Sequence, residues 1–240
     1  MTKVADNPSR LPKRFYQSAS VDEAEGDFLL CLDGKGAKTR AGRALAAPSK
    51  KLGAAIAEEW DACGEFIDFS AMPMTRFVMS LIDLGDSDAG KWRDMLLALL
   101  KSDLLCYRAS EPAALASLQR AAWDPLLDWA SGFLGAPLKT GAGVSFIEQP
   151  AAPIAAAQSI IATAQAGSLL GMKAAAEISG SAVIAFAIAE NAFPAEALFD
   201  ASRVDEAYQA ERWGLDDEAE RRAKRLRADF LDAARFLRLL

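Results

Sequence analysis

The sequence predicts an α+β protein, in which a small antiparallel β/α amino-terminal domain precedes a mainly α-helical carboxy-terminal domain. Three observations carry this reading. The distinct strand-like runs lie early and are separated by polar turns. From "DSDAGKWRDMLLALLKSD" onward the pattern is predominantly helical. At 240 residues, with 52% hydrophobic and 25% charged side chains, the chain is long enough to bury a proper core as one large domain or two small ones. The weak, polar, glycine-containing stretch from Gly85 to Gly90 is the candidate boundary, giving domains 1–88 and 89–240, with residues 1–12 expected to be disordered.

The elements follow in chain order. "RFYQSASVDE", "DFLLCLD" and "GAKTR" are the strand candidates. The last two flank Asp33-Gly34, a dipeptide suited to the positive φ angles of a tight hairpin turn. The same stretch, "LDGKGAKTR", imitates a phosphate-binding loop. That loop requires GxxxxGK[ST] between a strand and a helix, so that successive backbone N–H groups wrap the phosphates. Here Ala37 stands where the glycine before Lys38 belongs, Gly34 is too close, and a second strand follows, so a hairpin is predicted. Ser49 then caps a helix with Leu52, Ile56 and Trp60 on one face, and Thr75 opens another expected to end near Gly85. Two short extended pieces, "DLLCYR" and "APLKTGAGVSFIEQ", interrupt the later helices and are candidates to pair with each other.

Residues 149–172 carry no charge, yet the run is alanine-rich and interrupted by Pro150, Pro153, Gln158 and Gln165, which suits buried helices better than a membrane span. Its "GSLLG" (Gly167 to Gly171) is read as permitting close helix packing. In the last helix Leu226, Phe230, Ala233, Leu237 and Leu240 recur at helical steps. Asp216, Asp217, Glu218 and Glu220 precede Arg221, Arg222, Lys224 and Arg225, an order that complements the helix dipole.

Composition excludes several chemistries. The chain has no histidine, so no Ser-His-Asp triad, Cys-His pair or histidine-containing zinc site can be built. Cys31, Cys63 and Cys106 lie far apart without CxxC spacing and read as reduced, largely buried thiols. A net charge of −6 disfavours nucleic-acid binding. The opening "MTKVADNPSRLPKR" lacks the apolar core of a secretory signal, so a cytoplasmic chain without stable membrane insertion is expected.

Few constellations remain that could carry function. "VDEAYQAERWGLDDEAE" concentrates carboxylates, but acids this near in sequence on one helix are usually surface residues rather than a glycosidase pair. Glu206, Gln209 and Trp213 fall at i, i+3 and i+7, so an acid, an amide and an aromatic share a helical face. That face is either a protein-binding anchor or a tryptophan packed inward with the acid capping a neighbouring helix. Cys106 beside Arg108 suggests an activated thiolate, but the apolar surroundings favour a buried thiol. "WDPLLDW" reads as two core or groove tryptophans around a kink at Pro125. If the protein were an enzyme, Asp103, Arg108 and Asp124 would be the set to carry it.

The runs "RFY" at Arg14, "LDGKGAKT" at Leu32, "AEEWD" at Ala57, "MPMTR" at Met72, "SDLLCYR" at Ser102, "WDPLLDW" at Trp123, "EQP" at Glu148, "GS" at Gly180 and "VDEAYQAERWGLDDE" at Val204 together resemble one family. It is that of the assembly chaperones for the F-type ATP synthase, which bind its unassembled alpha subunit in mitochondria and alphaproteobacteria. Gly36, Ala37, Arg40 and Cys63 depart from the pattern. The resemblance implies an α+β domain joined to a helical one, with no catalytic activity, nucleotide or other cofactor. It implies a chaperone that keeps the alpha subunit from aggregating before the catalytic sector assembles. It also places partner binding on the acidic helix, giving Asp205, Glu206, Gln209, Trp213, Asp216 and Glu218 as candidate contact residues.

Overall fold

The computed structural model describes residues 11–24 and 26–240, so the expectation for residues 1–10 lies outside the described residues. Pro12 already accepts a hydrogen bond from the Ile67 N–H at 2.8 Å, and Lys13 bridges Phe66. The chain divides into two compact units, one reaching to Asp86 and including Leu239–Leu240, the other spanning Ser87–Arg238.

In the first unit β1 (Ala19–Ala24) and β2 (Asp27–Leu32) pair antiparallel from Ala19 opposite Leu32 to Ala24 opposite Asp27. The short strands β3 (Lys35–Gly36) and β4 (Ala46–Ala47) both pair with β2. The turn between β2 and β3 has positive φ at both central residues, 48° at Asp33 and 74° at Gly34, as a two-residue hairpin requires. Asp33 also accepts hydrogen bonds from the Ser18 N–H (2.9 Å) and the Gln17 N–H (3.0 Å), which hold its carboxyl below the usual range. Lys38 forms an isolated bridge to Ala44 and is exposed, so no helix opens behind it to complete a phosphate site.

Helix α1 (Lys50–Asp61) begins where Ser49 Oγ accepts the Leu52 N–H at 3.1 Å, and it buries Leu52, Ile56 and Trp60. Its Gly53 lets it settle on the sheet: a Cβ there would lie 2.8 Å from Phe28 Cβ. Helix α2 (Pro73–Lys101) opens under the Glu59 carboxylate, which accepts the N–H groups of Met74 (2.7 Å) and Thr75 (2.8 Å). These are two of the donors a helix start leaves without partners. Thr75 therefore lies inside the first turn rather than capping it. The helix also does not end near Gly85, because residues 85–90 are helical and the division between units falls within α2.

The second unit contains the rest of α2 and α3 (Ala113–Phe133), α4 (Ala151–Thr163), α5 (Ala166–Ser179), α6 (Ala182–Ala189), α7 (Ala195–Ala201), α8 (Val204–Trp213) and, up to Arg238, α9 (Asp217–Leu239). Its centre is α6, buried at every position from Ala182 to Ile188 and packed against α3, α5 and α7. A helix apolar all round must be covered all round. Gly180, at φ 71°, ends α5 in the left-handed conformation, and Ser181 Oγ then caps α6 through the Ile184 N–H. Gly171 does permit close packing: a Cβ there would sit 2.5 Å from Leu237 Cγ of α9. In α9 the buried stripe is Phe230, Ala233, Ala234 and Phe236, while Leu240 is exposed. The two extended pieces do meet, as the parallel pair β5 (Tyr107–Arg108) and β6 (Gly141–Ala142). Among the described residues no helix is long and apolar enough to cross a membrane.

Candidate functional site

Helix α8 has two faces, and each lines a groove. Val204, Ala207, Tyr208 and Glu211 look one way; Asp205, Glu206 and Gln209 look the other, with Trp213 on the same side by its helical phase. The second face, singled out by the sequence, borders a cleft of about 440 Å³ shared with Glu177 and Gly180 at the end of α5 and with Leu104.

Adjacent acids behave differently here. Asp205 Oδ1 accepts a hydrogen bond from Gln119 Nε2 at 2.7 Å, and Gln119 Oε1 accepts the Ala109 N–H at 2.7 Å. Gln119 is almost completely buried, so Asp205 is the end of a polar relay that ties α8 to α3 and to the segment after β5. Glu206, one step around the helix, is exposed and pairs with Arg203 at 2.9 Å. Arg203 in turn donates to the Ile178 carbonyl, which fixes the arginine rather than the acid. Gln209 is exposed, and Trp213 is 76% exposed. The inward-packed tryptophan and the acid capping a neighbouring helix are thereby both corrected: Trp213 stands out from the end of α8, and Glu206 pairs next to its own helix start.

The remaining candidates lie beyond α8. Asp216 Oδ1 accepts the Ala219 N–H at 2.7 Å and so caps α9, and Glu218 is exposed in that helix's first turn. Gly214 separates the two helices at φ 75°, with exposed Trp213 and Leu215 on either side of it.

The set named for an enzyme does not converge. Asp103 is fully buried, with its two oxygens accepting the Leu105 N–H (3.1 Å) and the Val183 N–H (3.0 Å) at the start of α6. Burial pushes its carboxyl up to about 6 against the opposing effect of these donors. Arg108 donates to Asp124 at 2.5 Å and lies over the Trp123 ring at 4.9 Å. The depression Arg108 lines includes neither Asp103 nor Asp124. Burial also pushes the Cys106 thiol up to about 12, helped by nearby Asp103, so it is no ready thiolate. Trp123 is a core residue whose Nε1 donates to the Ala201 carbonyl at 2.7 Å, and half-buried Trp129 stacks on Phe133. Among the described residues no cluster of metal-ligating side chains occurs.

Sequence reasoning missed the opposite groove of α8, an apolar depression of about 700 Å³ bounded by α3, α7 and α8. The available signal was the i, i+3, i+4, i+7 series Val204, Ala207, Tyr208 and Glu211. Its α3 wall, from Leu118 to Leu126, lies far earlier in the chain, and no spacing along α8 exposes it.

A family model described as ATP12 chaperone protein matches residues 13–131. The crystal structure of Atp12 from Paracoccus denitrificans is 35% identical, with a TM-score of 0.91 over 95% of this chain and 98% of that one. An aspartate-to-lysine mutant of Atp12p from the same organism gives 35% identity and a TM-score of 0.91 over 95% and 97%. Atu1473, a chaperone candidate from Agrobacterium tumefaciens, is 38% identical, with a TM-score of 0.90 over 95% of this chain and 86% of its own.

Proposed function

The chain belongs to the ATP12 chaperone family, and we propose that it serves F-type ATP synthase assembly in the cytoplasm by binding the unassembled alpha subunit and preventing its aggregation. The observation that carries this reading is the outer face of α8, where Glu206, Gln209 and Trp213 stand exposed on a helix anchored from beneath by Asp205. An exposed indole beside polar groups, on a backbone held rigid from below, has the composition of a protein-binding anchor. Holding a subunit whose interfaces are temporarily unpaired calls for a complementary surface and for no cofactor, nucleotide or bond-breaking step. Asp216 and Glu218 extend the acidic surface past Gly214, so the contact we propose runs from α8 onto the first turn of α9.

The test is to dilute denatured alpha subunit into buffer containing this protein without ATP and to follow light scattering and size-exclusion elution. A soluble complex at about one-to-one stoichiometry is expected. Equal protection of the beta subunit would assign the wrong client, and continued aggregation of alpha would remove the function.

A further inference from the structure

The apolar groove on the other side of α8 is unoccupied by any side chain of the described residues, and its chemistry is specific. Its walls are largely apolar and each helix contributes an exposed alanine, Ala121 of α3, Ala197 of α7 and Ala207 of α8, with Leu118 47% exposed at the margin. Small side chains on facing helices let a further backbone approach closely, as a helix seated at about 8–10 Å between axes requires. A volume of about 700 Å³ lies within the range of sites that take up ligand-sized apolar groups.

Charge names the occupant more closely. The groove's charged lining residues are both acids, Asp200 and Glu211. Arg227 pairs with Asp200 at 2.9 Å and Arg212 lies over the Tyr208 ring at 5.0 Å, which leaves Glu211 without an ion-pair partner among the described residues. No lysine or arginine lines the groove, and Glu196 lies on the same α7 helix as Asp200. A partner laid along this surface meets apolar walls flanked by negative potential.

We propose that the groove between α3, α7 and α8 seats a basic amphipathic helix of the client, its apolar stripe against the apolar walls and its lysines or arginines toward Glu211 and Asp200. The proposal rests on the chaperone reading and adds to it a second contact, on the opposite side of α8 from Glu206. The helix α8 then lies between two client-facing grooves rather than at the edge of one.

The experiment uses the full chain and a fluorescently labelled synthetic helix of about 15 residues, with leucines at i, i+3, i+4 and i+7 and the remaining positions lysine or alanine. Its twin carries glutamate at every lysine. Anisotropy should show the lysine helix binding at least tenfold more tightly than the twin. Ala207→Phe, which fills the groove from α8, should weaken that binding at least tenfold with an unchanged melting temperature. Ala121→Phe should do the same from the opposite wall, and Glu211→Lys should narrow the preference between the twins. Equal binding of the two peptides, or undiminished binding by both phenylalanine variants, overturns the proposal. So does a wild-type dimer that Ala207→Phe dissolves, since the groove would then hold a second copy of the chain. Alpha-subunit capture separates this inference from the functional reading. Capture lost in Glu206→Lys but normal in both phenylalanine variants overturns the groove and leaves the chaperone. A wild-type chain that binds the lysine helix selectively but never captures alpha supports the groove and overturns the choice of client.

Discussion

Asp103 at the base of α6 and Glu206 on α8 are acids of the same helical unit, yet they stand at opposite extremes of environment. Asp103 has no exposed surface and spends both oxygens on backbone donors. Glu206 is exposed and pairs with Arg203, the residue just before its own helix. Asp205 lies between them in character, half-buried and hydrogen-bonded to Gln119. The difference teaches that an acid's role is set by the donors that the fold brings to it. Asp103 closes the start of a helix that cannot be wetted, while Glu206 leaves most of its hydrogen-bonding capacity for a partner.

The largest expected effect tests the buried end of this comparison. Asp103→Ala removes the acceptor for two buried N–H groups, each costing about 1–3 kcal/mol when left unsatisfied. The variant should lose about 2–5 kcal/mol by urea denaturation near neutral pH. A loss below about 1 kcal/mol would mean that the start of α6 finds other partners and that the contrast with Glu206 is not energetic.

The second prediction concerns pH and compares Asp103→Asn with the wild type. Burial raises the folded-state value of Asp103 to about 6, above the unfolded value near 3.9, so the folded protein holds this proton more tightly than the unfolded chain. The sign follows: this carboxyl's contribution is most favourable below about pH 4, falls as pH rises, and levels off above about pH 6. The full difference is on the order of 3 kcal/mol. Asp33, Asp68, Asp88 and Glu220, whose values are lowered by their hydrogen-bond donors, have the opposite slope and are common to both proteins. Subtracting the two stability curves isolates Asp103. Parallel curves between pH 4 and 6 would show that the N–H donors offset burial, and a difference of opposite slope that they outweigh it.

These contrasts also mark how far the chain could be read before its structure. The hairpin at Asp33-Gly34 and the start of α1 at Ser49 were legible because positive φ and an unpartnered N–H group each demand particular residue types locally. The continuity of α2 was not. Glycine inside a helix costs only about 1 kcal/mol relative to alanine, and packing along the rest of α2 outweighs Gly85 and Gly90. Strand β4 was missed because two alanines have no alternation to show. On α8, phase alone placed Glu206, Gln209 and Trp213 on one side. Which acid would meet Gln119, 86 positions away from Asp205, depended on tertiary packing. The same holds for Asp103, whose Val183 donor is 80 positions distant and whose residue type alone suggested chemistry.

The third prediction lies midway. Asp205→Ala should cost about 1–3 kcal/mol, because it leaves the buried Gln119 amide without its charged acceptor while the solvent side of the acid is already wet. Asp205→Asn should recover part of this by presenting a neutral oxygen to Gln119 Nε2. If alanine and asparagine prove equally harmless, the relay through Gln119 does not anchor α8.

The smallest effect on stability is expected at Glu206, with the largest effect on binding beside it. Glu206→Lys breaks an exposed pair with Arg203 and places a base in the first turn of α8, penalties of about 0.3–1 kcal/mol from the helix dipole and a few tenths from the pair. For a chain of this size that shifts the melting temperature by about 2–4 °C at most. Trp213→Ala should change it still less, because an indole 76% exposed leaves no cavity when removed. Capture of the alpha subunit should nevertheless weaken by more than tenfold in Glu206→Lys, since charge reversal at a desolvated contact adds repulsion to the lost attraction. Trp213→Ala should reduce it by a smaller factor. Melts and capture must be measured on the same preparations, because the outcome turns on their separation. A Glu206→Lys protein that melts normally and still captures alpha would take the outer face of α8 out of the contact, and one that loses both together would place Glu206 with Asp103 and Asp205 among the acids that hold the fold.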